Sequence, residues 1–468
     1  MLSVTKKNTY ESNKDEVTQM IDSLAEKEQE ALKELSKKSQ QEINDIVHQM
    51  SMAAVDQHMH LAKLAYNETG RGIYEDKAIK NLYASEYIWN SIKDNKTVGI
   101  IGEDKQKGLT YVAEPIGVIC GVTPTTNPTS TTIFKAMIAI KTVNPIIFAF
   151  HPSAQQSSKH AAKVILEAAI KAGAPKDCIQ WIEIPSIEAT KQLMNHKDIA
   201  LVLATGGSGM VKSAYSTGKP ALGVGPGNVP TYIEKTAHIK RAVNDIIGSK
   251  TFDNGMICAS EQVMVVDKEE YSDVVKEFKL HHTYFVNKNQ LQQLEDAIMN
   301  EDKTAVKPDI VGKSAVSIAK LSGISVPEKT KLLVAEIDGI GKDYPLSREK
   351  LSPVLAMVTE KSTRHALQIC EDTLNFGGLG HTAVIHTEDS QLQQKFGLKM
   401  KACRVLVNTP SAVGGIGNMY NELIPSLTLG CGSYGRNSIS HNVSAVDLLN
   451  IKTIAKRRNN MQSVSYTH

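Results

Sequence analysis

Cys258 stands within residues 251–262 (TFDNGMICASEQ), preceded by Asn254, Gly255 and Met256 and followed by Ala259 and Ser260. A thiolate attacks a carbonyl carbon, and small neighbours let that carbon approach both the sulfur and the adjacent backbone N–H groups. A cysteine by itself is more often a small buried apolar residue, so its company decides. Residues 121–131 (GVTPTTNPTST) leave a strand-like run and enter a helix. There the Asn127 amide is a donor suited to a developing oxyanion, although Asn before Pro is also a routine turn residue. Residues 377–386 (GGLGHTAVIH) set His381 behind a glycine-rich loop, either an imidazole titrating near neutrality or a structural histidine. Residues 347–357 (SREKLSPVLAM) put Glu349 before a Leu-Ser-Pro turn. That carboxylate can accept from a ribose hydroxyl or simply face solvent.

Two glycine-rich segments add a second kind of chemistry. Residues 204–218 (ATGGSGMVKSAYSTG) follow a strand and open a helix, with Gly206, Gly207 and Gly209 just after Thr205. Such a turn lets backbone N–H groups and a helix N-terminus meet a pyrophosphate. The spacing is not GxGxxG, so a plain tight turn stays open as an alternative. Residues 221–234 (ALGVGPGNVPTYIE) carry three glycines, Gly225 among them, and two prolines between strand-like runs. That density means backbone close to something, a ligand or another part of the fold.

The elements that must position these residues alternate. Strand-like runs at 116–122, 146–150, 179–184 and 199–204 are separated by helical patterns at 131–142, 155–172 and from 186. Further strands are expected at 262–266, 331–337, 354–358, 382–386 and 404–408. Alternation of this kind means βαβ units and parallel sheets, which bind nucleotides at the carboxyl ends of their strands. The fold class is therefore α/β. Residues 14–65 read as amphipathic helices covering the larger body. We expect residues 1–250 to hold these helices and a nucleotide-binding domain, and 251–431 to hold a catalytic domain. Residues 432–468 should then return to the first domain.

Composition narrows the partners. The 468 residues carry a formal net charge of +3 with no dense Lys/Arg block, so nothing calls for nucleic acid or an anionic membrane. The three-residue cluster Lys456, Arg457 and Arg458 reads as a solvated end. No apolar signal region or membrane-length run is visible. Six scattered cysteines without a CxxC pair read as reduced thiols in a cytoplasmic protein. The fourteen histidines show no metal-ligand spacing, so no metal is expected.

In order and spacing, EPIGVICGVTPTTNPTSTTIFKA, FDNGMICASEQ, EKLSPVLA, GGLGHTA, NTPSAVGGIG and SLTLGCGSYGRNSIS resemble the CoA-acylating aldehyde dehydrogenases. The likeness is to the aldehyde dehydrogenase half of the bacterial bifunctional aldehyde–alcohol enzymes. It implies the aldehyde dehydrogenase fold: a nucleotide domain, a catalytic domain and an oligomerising β extension, hence a homo-oligomer. It further implies that Cys258 is the nucleophile and that Asn127 and the Cys258 N–H form the oxyanion hole. His381 would sit near the thiol, residues 205–209 and Gly225 would line the cofactor, and Glu349 would hold a ribose. NAD would be the cofactor, and a small aldehyde, coenzyme A and acyl-CoA the substrates and product, with acetyl-CoA reduction the fermentative direction.

Three departures sharpen the expectation. Acid-forming members carry a water-activating glutamate in an ELGGKxP segment; here residues 224–230 read VGPGNVP, with Val224 at that position. Valine cannot deprotonate water, which favours acyl transfer to a thiol over hydrolysis. His151 replaces the lysine that often holds the adenosine ribose. Val143 lies in KTVNP, where a β-branched residue is strained if φ must be positive. The sequence carries no iron-ligand histidine set, so reduction of aldehyde to alcohol is not expected. An acid-forming enzyme and an idle truncated subunit are the competing readings.

Overall fold

The computed structural model describes residues 2–457, so residues 458–468 of the expected C-terminal segment, and Arg458 of the basic cluster, lie outside the described residues. Helices come first: Leu2–Leu35, Gln40–Asp56, His58–Thr69 and Tyr74–Leu82. Ser39 starts the second with a capping box, its hydroxyl accepting from the Glu42 N–H while the Glu42 carboxylate accepts from the Ser39 N–H. Gly70, at φ 62°, ends the third in the left-handed conformation that glycine adopts without a Cβ penalty. Ile43, Ile46, Val47, Met50 and Ala54 recur at helical spacing and are all buried. They join the main core shared with helix Pro128–Lys141 and helix Gln155–Lys171.

A hairpin, β1 (Gly99–Asp104) and β2 (Leu109–Pro115), precedes two parallel sheets. The first sheet holds β3 (Val118–Val122), β4 (Ile146–Ala149), β5 (Ile179–Trp181), β6 (Ile199–Thr205) and β7 (Ala221–Val224), in the order β5-β4-β3-β6-β7. Its strands are covered by helices on both faces, so they read as continuous apolar runs. Lys135, fully buried in helix Pro128–Lys141, donates to the carbonyls of Val122 (2.6 Å) and Leu203 (2.8 Å). It thereby stitches the carboxyl ends of β3 and β6, and burial pushes its ammonium down to about 7.

The second sheet holds β8 (Val229–Ile233), β9 (Glu261–Asp267), β10 (Thr283–Val286), β11 (Leu332–Glu336), β12 (Val354–Glu360), β13 (Gly380–His386) and β14 (Ala402–Val407). The order is β10-β11-β12-β9-β8-β13-β14. β8 pairs with β9 and β13, and helix Ile239–Thr251 packs on this sheet. The chain therefore changes sheet at residues 225–228, not at 250 as expected. An apolar run shows that a strand is buried, but not which sheet it joins. Finally β15 (Leu449–Ala455) pairs antiparallel with β2, so the chain returns to the hairpin beside the first sheet.

Val143 has φ 64°, the strained left-handed region for a β-branched residue. Its side chain is buried in the main core, which offsets that strain. Among the described residues no helix is long and apolar enough to cross a membrane.

Candidate active site

A cavity of about 500 Å³ lies where the carboxyl ends of β3, β4, β6 and β7 face the turn before β9. Val122, Ala149, Thr205 and Val224, each the last residue of its strand, line one side. Met256, Cys258, Glu349 and Leu351 line the other. Open α/β sheets bind ligands at this edge because loops diverge there and leave helix N-termini facing the crevice.

Of the residues singled out by sequence, Cys258, Asn127, Glu349, His151, Thr205, Gly206, Gly207 and Gly225 all line this one cavity. Gly209 does not; it sits in the first turn of helix Ser208–Tyr215, outside the lining. His381 does not either. Gly227 stands against it: a Cβ on Gly227 would meet His381 Cγ and Nδ1 at 3.0 Å and the Cys258 carbonyl oxygen at 2.2 Å. His381 is completely buried, with Nδ1 2.9 Å from Thr382 Oγ1 and Nε2 without a partner. Burial, and then the Arg404 guanidinium, hold its imidazole far below the usual range, hence neutral.

The first-sheet side is built to receive polar atoms. The hydroxyls of Thr123, Thr125 and Thr205 are buried without hydrogen-bond partners, and all three residues line the cavity. A buried hydroxyl left unpaired is costly, so a ligand that satisfies it gains affinity. Nothing lies within 4 Å of a Cβ placed on Gly207 or Gly225, and neither has positive φ. These glycines are therefore not required by backbone conformation; they leave open space over peptide N–H groups. That is what a close-approaching phosphate-bearing ligand needs. His151 caps a short helical turn, its Nδ1 accepting from the Ser153 N–H at 3.1 Å.

On the second-sheet side the Cys258 thiol is half-buried and pushed up to about 12, first by burial and next by the Glu349 carboxylate, with Arg404 acting against. Glu349 is itself pushed up to about 7 by burial, although the Gly227 N–H, 3.0 Å from Oε1, favours its charged form. Arg404 is buried and donates to the carbonyls of Gly430 (2.8 Å) and His381 (2.8 Å). Replacing Gly227 by Ala is expected to push the Cys258 carbonyl aside. We expect at least a ~10-fold loss of turnover with a Tm several degrees lower, as overpacking costs about 1–3 kcal/mol. Calorimetry and steady-state assay would check it, and unchanged values for both would contradict the contact.

Sequence reading passed over three residues that touch this site from behind. Lys77 and Lys80, on helix Tyr74–Leu82, reach Asp253 Oδ2 at 3.1 and 2.5 Å. All three are buried. Lysines are usually solvated, and the only hint was Asp253-Asn254-Gly255, three residues tolerant of left-handed backbone in succession. All three adopt it, with φ 47°, 53° and 75°.

The pattern of the aldehyde dehydrogenase family matches residues 4–418. The chain belongs to the aldehyde dehydrogenase family. The aldehyde-alcohol dehydrogenase of Streptococcus pneumoniae is 57% identical over 419 residues, covering 88% of this chain and 48% of that protein. The chain thus spans about half the length of the curated relatives it matches first. An acetylating aldehyde dehydrogenase from Geobacillus thermoglucosidasius has the same fold at TM-score 0.93 and 46% identity, covering 96% of this chain and 98% of that one. A Rhodopseudomonas palustris propionaldehyde dehydrogenase, solved with bound propionyl-CoA, follows at TM-score 0.83 and 27% identity over 93% and 94%. The α/β fold expected from the sequence is the aldehyde dehydrogenase fold, and this member of the family is placed among oxidoreductases.

Proposed function

We propose that this chain is an NAD-dependent, CoA-acylating aldehyde dehydrogenase acting on a small aldehyde, reversibly, with acetaldehyde and acetyl-CoA as the pair. Thr205, Gly206, Gly207, Gly225, Glu349 and His151 would hold the cofactor, with Gly209 supporting the turn. The orphaned threonine hydroxyls beside them fit such a ligand. When bound, NAD supplies the hydride acceptor.

The protein's own residues do the rest. Cys258 Sγ adds to the aldehyde carbon to form a hemithioacetal. The Asn127 amide N–H and the Cys258 backbone N–H meet the charge on its oxygen. Loss of hydride, with the oxygen's proton released to solvent, leaves an acyl thioester on Cys258; the coenzyme A thiol then takes the acyl group, and its proton returns to the Cys258 sulfur. His381, neutral and behind Gly227, supports the loop that carries the thiol. No metal enters this scheme.

The observation that carries the acylating reading is Val224. It lines the cavity at the end of β7, apolar and buried, where a water-activating carboxylate would stand in an acid-forming enzyme. Among the described residues lining the cavity Glu349 is the one carboxylate, and Gly227 holds it. The names of the Geobacillus and Rhodopseudomonas neighbours support the same chemistry. A cytoplasmic site belongs to this reading, since all six cysteines are free. So does a second copy docked on the β1-β2-β15 sheet, where Ile100, Ile451 and Ile454 are exposed.

The test is NADH formation from acetaldehyde and NAD with and without coenzyme A. CoA-dependent turnover is expected. CoA-independent turnover would restore the acid-forming reading, and no turnover in a folded protein would restore the idle subunit.

A further inference from the structure

Resting on the roles just proposed for Cys258 and Asn127, we infer that Lys80 is a positioning residue for the oxyanion hole. Its ammonium fixes which end of the Asn127 amide faces the cavity, and it ties that amide to the turn that carries Cys258.

An ammonium has three N–H donors and no acceptor, so only the oxygen end of an amide can face it. Lys80 Nζ lies 2.6 Å from Asn127 Oδ1, which turns Nδ2 away from it; there Nδ2 donates to Thr126 Oγ1 at 3.2 Å and keeps a second N–H. An amide rotated by half a turn would aim its oxygen at the developing negative charge and repel it. The contact therefore selects the productive orientation. It also strengthens the amide as a donor, because a charge-assisted bond at the oxygen polarises the N–H groups.

The same Nζ lies 2.5 Å from Asp253 Oδ2 and over the Phe252 ring, 5.7 Å from its centroid. Phe252 leads into the left-handed turn Asp253–Gly255, and Cys258 follows that turn three residues later. Asp253 is held in further ways by helix Tyr74–Leu82 and the residue before it: Oδ1 accepts from the Ile73 N–H at 2.7 Å, and its own N–H donates to Asp76 Oδ2 at 2.7 Å. Lys77 shares Oδ2 but reaches the Asn127 loop only at the Thr126 carbonyl, 3.5 Å away. Lys80 alone among these contacts touches both the proposed oxyanion donor and the turn of the nucleophile.

A double-mutant cycle tests this on the full chain. Asn127→Ala is expected to lower kcat by ~10²–10³-fold, the usual loss for one oxyanion donor. Lys80→Met should lower kcat by at least ~10-fold while KM for NAD stays within about twofold. In the Asn127→Ala background, Lys80→Met should cost almost nothing more, because it acts through the missing amide. Losses that multiply would overturn the inference, as would an effect confined to KM. An Asn127→Ala enzyme with unchanged kcat would overturn the oxyanion assignment beneath it, a result the single variant discloses alone. Should Lys80→Met not fold, Lys80→Gln, which removes the ammonium but leaves Asp253 paired with Lys77, enters the same cycle.

Discussion

Cys258→Ala is expected to abolish CoA-dependent turnover, a loss of at least ~10⁴-fold of the kind seen when a covalent nucleophile is removed. The side chain lines a cavity wall rather than filling the core, so Tm should stay within a few degrees of wild type. The folded variant should still bind the cofactor, since the threonine and glycine face is untouched. A pH experiment on the wild type sharpens the assignment. With the Cys258 thiol near 12, the ligand-free protein carries almost no thiolate at neutral pH. Alkylation of Cys258 by iodoacetamide should be slow at pH 7 and rise about tenfold per pH unit, since raising pH favours the deprotonated form. Binding NAD, whose positive charge sits on the nicotinamide ring, should accelerate it at fixed pH when that ring docks beside the thiol. Mass spectrometry of the alkylated peptide reads the rate, and Cys403, also half-buried, serves as an internal comparison. A Cys258→Ala enzyme with residual CoA-dependent turnover would remove the nucleophile from the scheme.

The second large effect concerns the fate of the acyl group. Val224→Glu places a carboxylate in the cavity wall at the end of β7. Desolvation there raises a carboxyl toward neutrality, where it can act as a base. We expect CoA-independent acid formation to rise by ~10²-fold or more, within the 10²–10⁴-fold range of general-base assistance. Acyl-CoA yield should fall as water competes for the thioester. Val224→Gln, similar in size without the base, is the control, and Tm should drop by several degrees in both. Acid formation measured with and without coenzyme A decides it. A folded, cofactor-binding Val224→Glu enzyme that makes no acid would show that Val224 is not the residue barring hydrolysis.

Much of the scaffold was legible because buried parallel strands leave unbroken apolar runs. The expected 146–150, 199–204, 262–266 and 331–337 meet β4, β6, β9 and β11 within about a residue or two. The hairpin β1–β2 and β15 were not, because their side chains are largely exposed and mixed in polarity. β10 is only four residues long, too short for a pattern. The site was legible where a residue type carries chemistry, as with Cys258 and Glu349, or where space is needed, as with Gly207 and Gly225. It was silent where chemistry depends on a partner far along the chain. Nothing about Lys77 or Lys80 distinguishes them from solvated helix lysines until Asp253 meets them. Gly227 likewise looks like one more loop glycine until the Cys258 carbonyl is placed against it.

The contacts from residues 73–80 to Asp253 span 173 to 180 positions of sequence. Closing so long a loop carries an entropic cost that local helices and neighbouring strands do not face. The two parallel sheets pair their strands over shorter separations, 153 positions between Val384 of β13 and Thr231 of β8, and can acquire their hydrogen bonds before that closure; the turn before Cys258 cannot settle until after it. Recovery of activity on refolding should therefore trail recovery of secondary structure, and a lag between far-ultraviolet circular dichroism and turnover would time the docking of the N-terminal helices.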